Sequence, residues 1–257
     1  MSRVFITGSS DGLGQMSASL LVQQGHQIVL HARNQQRAVQ AMDKVPGAER
    51  VLIADLSSIE ETKILAAQAN ATGRFDAVIH NAGVYQVSNR ELSVDGVPLL
   101  FAVNSLAPFI LTALIQKPER LIYLSSGMHL HGNSDMDDLK FENRGDRGTV
   151  TYSDTKLHDV ILCKAVARKW DDVYANAVNP GWVPTRMGGA GAPDNLEKGF
   201  QTQAWLAVSN DQKVKVTGRY FYHQKEDRYL SIADDINVQE KFISICERIS
   251  GVSFPLR

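Results

Sequence analysis

Two side chains four positions apart, Tyr152 and Lys156 in Tyr-Ser-Asp-Thr-Lys, have the types and spacing for shared acid–base chemistry. A free phenol has a pKa of about 10 and is a poor base at neutral pH. A nearby ammonium favours the phenolate, and residues at i and i+4 share one helix face. A Tyr-x-x-x-Lys is common, however, and by itself equally fits an ordinary helix face. Two further groups bear on it. Ser125 and Ser126 end the apolar run Leu121–Leu124, where a hydroxyl can hydrogen-bond a substrate oxygen and steady developing charge. Asn104, in Val-Asn-Ser-Leu-Ala-Pro, is suited to hold a water beside the Lys156 ammonium, or to a capping or core role.

A second constellation could bind an anion. Val4–Thr7 reads as a buried strand, followed at once by Gly8-Ser9-Ser10-Asp11-Gly12-Leu13-Gly14 and then a helical stretch. Glycines at such a turn let the backbone approach a pyrophosphate, while N–H groups and the helix dipole face its charge. The spacing G-x-x-x-G-x-G differs from the commoner dinucleotide fingerprint. Beyond the next strand, Ala32 stands where an acid would grip a ribose, and Arg33 and Asn34 follow. A guanidinium can pair with a 2′-phosphate that a carboxylate would repel, so NADP(H) is expected in preference to NAD(H). The alternative for Arg33 is a solvated surface residue. Asp55-Leu56 and Asn81-Ala82-Gly83 close the third and fourth strands, a carboxylate for the adenine amino group and small residues against the cofactor.

These groups need a scaffold that brings strand ends to one edge. Short apolar runs at Val4–Thr7, Gln27–His31, Val51–Ala54, Ala77–His80, Leu121–Leu124, Tyr174–Val178 and Tyr220–Tyr222 alternate with longer helical stretches. Those stretches begin near Gly12, Gln35, Ser58, Pro98, Thr151, Asn195 and Asp234. The pattern predicts one α/β domain, a Rossmann-type doubly wound parallel sheet of about seven strands with helices on both faces. Ligands of such sheets bind outside the strands' carboxyl ends. A cofactor-binding part over about 1–125 and a catalytic and substrate part over about 126–257 follow from the motif order. Two stretches without a period, 127–150 and 182–194, are candidates for the substrate side, the second as a lid.

Composition narrows the function further. The 257 residues carry 27 basic and 28 acidic groups, a net charge of −1, which gives no pull toward nucleic acid or an anionic membrane. Cys163 and Cys246 are far apart and form no CxxC, so neither a disulfide framework nor structural zinc is expected. With no signal-like start and no membrane-spanning apolar run, the expected setting is the cytoplasm. His129 and His131 lie near Asp135, Asp137 and Asp138, but the chemistry needs no metal and none is expected.

The ordered motifs, Thr7–Gly14, Asp55, Asn81-Ala82-Gly83, Asn104, Ser125-Ser126, Tyr152-x-x-x-Lys156 and Asn179-Pro180-Gly181, resemble the short-chain dehydrogenase/reductase family over nearly the whole chain. The resemblance implies a catalytic set of Asn104, Ser126, Tyr152 and Lys156, with Ser125 the alternative serine. It implies cofactor contacts from Gly8, Ser10, Asp11, Gly12, Leu13, Gly14, Arg33, Asn34, Asp55, Leu56, Asn81, Ala82, Gly83, Tyr152 and Lys156. Pro180, Gly181, Val183 and Thr185 would flank the nicotinamide. The implied reaction interconverts an alcohol and a carbonyl on a small-molecule substrate, in a homodimer or homotetramer. The long 127–150 insertion is similar to that of the retinol dehydrogenase-like and WW-domain oxidoreductase-like branch, which favours NADP and lipophilic substrates. The membrane anchor of many of its members has no counterpart here. A catalytically idle NADP-binding regulator on the same scaffold is the alternative, though such proteins typically lose the tyrosine or lysine that this chain keeps.

Overall fold

The computed structural model describes residues 1–88, 91–136 and 150–255. Apolar runs and helical stretches alternate as β1 (Arg3–Ile6), α1 (Gly12–Gln23), β2 (Gln27–Ala32), α2 (Gln35–Lys44), β3 (Arg50–Ile53), α3 (Ile59–Ala71) and β4 (Ala77–His80). A helix interrupted by one π turn follows: α4 (Leu99–Phe101), the turn Ala102–Leu106, and α5 (Ala107–Leu114). Then come β5 (Arg120–Leu124), α6 (Tyr152–Lys169), β6 (Tyr174–Asn179), α7 (Leu196–Val208), β7 (Arg219–Tyr222), β8 (Lys225–Glu226) and α8 (Ile236–Ser250).

All eight strands join one sheet in the order β3-β2-β1-β4-β5-β6-β7-β8. The first seven are parallel, as their largely apolar middles fit when helices cover both faces. The eighth is a two-residue antiparallel edge on β7, too short to show as a run in the sequence. The expectation of about seven strands therefore corrects to eight. One core, with Leu65, Phe109, Val160 and Phe242, lies under α3, α5, α6 and α8; the other, with Leu21, Ala41 and Leu206, lies under α1, α2 and α7.

Local signals set the helix starts that matter for the site. Asp11 caps α1 by accepting from the Gly12 N–H, and α6 opens on a capping box. In that box Thr151 Oγ1 accepts from the Asp154 N–H, and Asp154 accepts from the Thr151 N–H at 2.7 Å. Tyr152 is the first residue of the helix, so the box fixes the turn that aims its ring. Asp154 also accepts from the Asn133 N–H at 2.7 Å, tying the segment after β5 to the same turn. The sheet order reverses about β1, which has β2 on one side and β4 on the other. The carboxyl ends of these strands border the cleft that such a reversal opens.

Candidate active site

A cleft of about 600 Å³ runs across the carboxyl ends of the strands. Its floor includes Gly8, Ser10, Asp11, Gly12 and Leu13 of the first turn, and Asn81, Ala82 and Gly83 after β4. Asp55, Leu56 and Arg33 border one end; Tyr152, Lys156, Pro180 and Thr185 border the other. Gly8 and Gly12 adopt φ of +62° and +56°, the left-handed region that favours glycine. A Cβ on Gly12 would meet nothing within 4 Å, an open cradle for an anion. A Cβ on Gly8 would lie 2.7 Å from Ala82 Cα, so the two turns are packed backbone to backbone.

Other expected cofactor residues have different immediate tasks. Gly14 faces inward: a Cβ there would lie 2.3 Å from Asn81 Nδ2 and 2.7 Å from the Gly8 carbonyl oxygen. Asn81 Nδ2 donates to the Thr7 and Gly8 carbonyls at 3.0 and 3.1 Å, lacing the first turn to the fourth strand. Asn34 caps α2 by accepting from the Arg37 N–H and does not border the cleft. Val183 is buried beside Gly199, and Gly181, at φ +85°, packs against Asp194. Neither borders the cleft. Asp55 accepts from the Ser57 N–H and hydroxyl, which holds its carboxylate at the rim.

Two residues near the first turn were not singled out by the sequence. His31 Nδ1 accepts from the Gly8 N–H at 2.9 Å, and its Nε2 faces the Ala54 carbonyl at 3.0 Å. Burial holds this imidazole down to about 4, so it stays neutral and keeps the acceptor the turn needs. Arg37, in the first turn of α2, also borders the cleft. It lies 3.6 Å from the Asp11 carboxylate, with Lys44 at 3.8 Å, so the negative charge at the mouth of the cradle is partly offset.

At the other end, Tyr152 and Lys156 do share a face, with the ammonium 5.6 Å from the phenol ring centroid. The Lys156 ammonium is buried and donates to the Leu124 carbonyl at 2.6 Å and to Asp159 at 2.8 Å. Desolvation opposes its charge, but the Asp159 carboxylate and the Tyr152 phenol outweigh that and raise its pKa. Burial raises the Tyr152 phenol above its ordinary value; Lys156 pulls it down, Asp159 pushes it up, and a hydrogen bond with Ser126 lowers it. Tyr85 meets the same ring edge-on, centroids 4.6 Å apart.

The two serines divide clearly. Ser125 borders the cleft, but its hydroxyl donates to the Lys156 carbonyl at 2.7 Å and also partners Tyr220. The Ser126 hydroxyl caps the turn Gly127–His131 by accepting from the Met128 N–H at 3.2 Å and lies close enough to the Tyr152 phenol to lower its pKa, but Ser126 does not itself border the cleft. Ser125 thus borders the cleft and Ser126 neighbours the phenol. Beneath it, His129 Nδ1 lies 2.7 Å from the Ser126 carbonyl and 3.1 Å from Tyr220 Oη, and its Nε2 accepts from the Leu230 N–H. His129 is thus a buried support. Asp137 and Asp138 lie outside the described residues, and among the described residues no cluster could hold a metal ion.

Asn104 sits in the π turn, where a local widening of the helix turns its side chain toward the loop after β4. Its Oδ1 accepts from the Val84 N–H at 2.8 Å; its Nδ2 donates to the Val84 carbonyl and to Thr155 Oγ1. Both amide hydrogens are therefore occupied. Only a lone pair on Oδ1 remains for a water, near the point where a Gly83 Cβ would lie 3.4 Å from it and 3.8 Å from Lys156 Nζ.

A parallel sheet with a glycine-lined cleft at its switch point, and a Tyr-Lys pair at the cleft's far end, define an α/β oxidoreductase scaffold. A family model described as short chain dehydrogenase matches residues 2–195. The chain belongs to that family. It is 43% identical over 260 residues to the uncharacterised oxidoreductase AN7799 of Emericella nidulans, covering 99% of each. It is 40% identical to the short-chain dehydrogenase chry4 of Gibberella zeae, covering 99% of each. Within the family it is similar to retinol dehydrogenase 14 of Homo sapiens, 29% identical over 97% of this chain and 86% of that one. Among solved structures, an uncharacterised protein from Mycobacterium paratuberculosis superposes with a TM-score of 0.84 at 23% identity, over 100% of this chain and 96% of that one, a likeness of fold. The protein is accordingly a dehydrogenase/reductase. No helix among the described residues is long and apolar enough to cross a membrane.

Proposed function

We propose that the protein interconverts an alcohol and a carbonyl with NADP(H), using Tyr152 as the acid and base. The observation that carries this is the Lys156 ammonium facing the Tyr152 ring at 5.6 Å, both bordering a cleft whose other end is the glycine turn. When bound, a nicotinamide cofactor supplies or accepts the hydride. Gly8 and Gly12 would take its pyrophosphate, Asp55 its adenine, and Arg33 with Arg37 a 2′-phosphate, which favours NADP(H). Lys156 uses two of its three N–H groups on Leu124 and Asp159, leaving one to donate within the cleft.

In the reducing direction, Ser126 and Tyr152 donate hydrogen bonds to the carbonyl oxygen, and Tyr152 Oη releases its proton as negative charge develops there. A water held by Asn104 Oδ1 beside Lys156 would relay a proton from solvent toward the phenol, so that no hydroxide stays in the site. Tyr85, Val87, Leu99, Val103 and Met187 make the remaining wall predominantly apolar, which supports a lipophilic or small aldehyde or ketone as substrate. Asn104, Ser126, Tyr152 and Lys156 form the working set. Tyr152→Phe tests it by keeping the ring and removing the proton. Turnover across a panel of aldehydes and ketones with NADPH should fall about 10²–10⁴-fold, while cofactor binding by calorimetry stays within a few-fold. Near-full turnover in that variant would refute the role.

A further inference from the structure

Asp159 is a buried carboxylate that the proposed reaction does not use. It stands three residues after Lys156 and seven after Tyr152, which places all three on one helix face. Its Oδ2 is 2.8 Å from Lys156 Nζ, and the side chains of Asp159 and Lys156 are only 3% and 5% exposed. A charge so enclosed is costly and persists only when its partner is equally fixed. The same contact has an electrostatic consequence two turns away. An isolated Lys156 ammonium would pull the Tyr152 phenol down more strongly against the burial that raises it; an ammonium joined to a carboxylate presents mainly a dipole.

We propose that Asp159 is a positioning residue for the Tyr152–Lys156 pair: it anchors the ammonium, cancels much of its field, and so adds to the burial that holds the phenol's proton. Burial raises the Asp159 carboxyl to about 6, which still leaves it ionised at neutral pH. Other ionisable groups around the triple do not substitute for it. Tyr123 of β5, Tyr220 of β7 and Cys163 of α6 are pushed up by burial and stay neutral. His158 beside it is held down to about 4 and is neutral as well. Tyr85 meets the Tyr152 ring from the loop after β4, and α8 contributes Cys246, also pushed up. Asp159 is thus the one carboxylate acting on Tyr152 among these groups. This inference rests on the acid–base reading of Tyr152, and it adds a direction to it. A phenol that holds its proton is ready to protonate a forming alkoxide, and must be deprotonated before it can take the hydroxyl proton of an alcohol undergoing oxidation. The site is therefore biased toward carbonyl reduction at neutral pH.

The test is Asp159→Asn, which keeps the shape and an acceptor for Lys156 while removing the charge. The full chain, carrying ¹³Cζ-labelled tyrosine, is titrated by NMR, with the Tyr152 signal assigned from Tyr152→Phe. In D159N the Tyr152 signal should move to its ionised position at a pH about one unit or more below that of the wild type. The rising limb of the pH profile for alcohol oxidation should shift down by the same amount. Asp159→Ser, with a smaller side chain, serves if D159N does not fold, and should shift the signal in the same sense. An unchanged Tyr152 titration in the folded variants overturns the proposal, since a merely structural carboxylate would leave it unmoved. A shifted titration in a protein without turnover on any alcohol or carbonyl upholds the electrostatic role and instead refutes the catalytic reading of Tyr152.

Discussion

Gly14→Ala is the perturbation that separates packing from ligand binding at the first turn. The added Cβ would lie 2.3 Å from Asn81 Nδ2 and 2.7 Å from the Gly8 carbonyl oxygen. The Asn81 amide cannot retreat without losing its bonds to the Thr7 and Gly8 carbonyls, each worth about 0.5–1.5 kcal/mol. The Gly8 oxygen belongs to the backbone and can retreat only with the turn, an overpacking cost of about 1–3 kcal/mol. Alanine regains about 1 kcal/mol over glycine inside a helix. The balance is a loss of about 2–3 kcal/mol, or about 5–10 °C in Tm for a domain of this size. The assay is a thermal melt without ligand, followed by NADP binding by calorimetry, where the displaced Gly8–Asn81 floor should cost about tenfold or more in affinity, that is about 1.4 kcal/mol. Gly12→Ala is the contrast. Its Cβ meets no protein atom, so the loss in Tm comes only from the left-handed backbone, about 1–2 kcal/mol, while NADP binding is hit harder. If G14A melts at or above the wild-type temperature, helix propensity has won and the packing argument fails.

Arg33→Ala and Arg37→Ala should each weaken NADP binding about tenfold or more while leaving NAD nearly unchanged; equal losses for both cofactors would remove the 2′-phosphate assignment. Ser126→Ala should lower kcat about 10²-fold, with a loss of stability no larger than one turn cap gives, about 1 kcal/mol. Ser125→Ala should instead act chiefly on Tm, because its hydroxyl bonds the Lys156 carbonyl within the core; the reverse pattern would exchange the two assignments. Acid should destabilise the fold before it reaches the ordinary carboxylate range. Burial holds His31 and His158 down to about 4 and His80 to about 3, below the 6.5 of a free imidazole. The unfolded chain then takes up protons that the folded one refuses, so stability present above pH 6.5 is lost as pH falls toward 4. Asp159, raised to about 6, opposes this with one group against three. Melting temperatures measured from pH 7.5 to 4.5 should fall; a flat or rising series would refute the assignment.

Much of this protein was determined by sequence alone, because its signals are local. Apolar runs of strand length, separated by helix-period stretches, dictate a parallel sheet, since only helices on both faces can cover such strands. Gly8 and Gly12 announce a turn that other residues enter at a cost, and Tyr152 with Lys156 announce a shared face through a four-residue step. Asp159 also lies at a helical offset from Lys156, and Arg37 in the first turn of α2 closely follows Arg33, but one more charge at such a spacing is ordinary until its neighbours are known. Tertiary structure decided the rest, because it depends on strand order and burial. Gly14 is a packing contact only because β4 lies beside β1, a neighbour 60 and more residues away in the chain. His31 became the acceptor of the Gly8 N–H because β2 flanks β1 on the other side. Asn104 became a clamp on Val84 because a π turn rotates it there, and the Ser125 hydroxyl became a bond to the Lys156 carbonyl because α6 packs against the end of β5. Spacing along a chain sets which side chains share a face; the sheet and its burial set what those faces meet, and therefore which charges are felt.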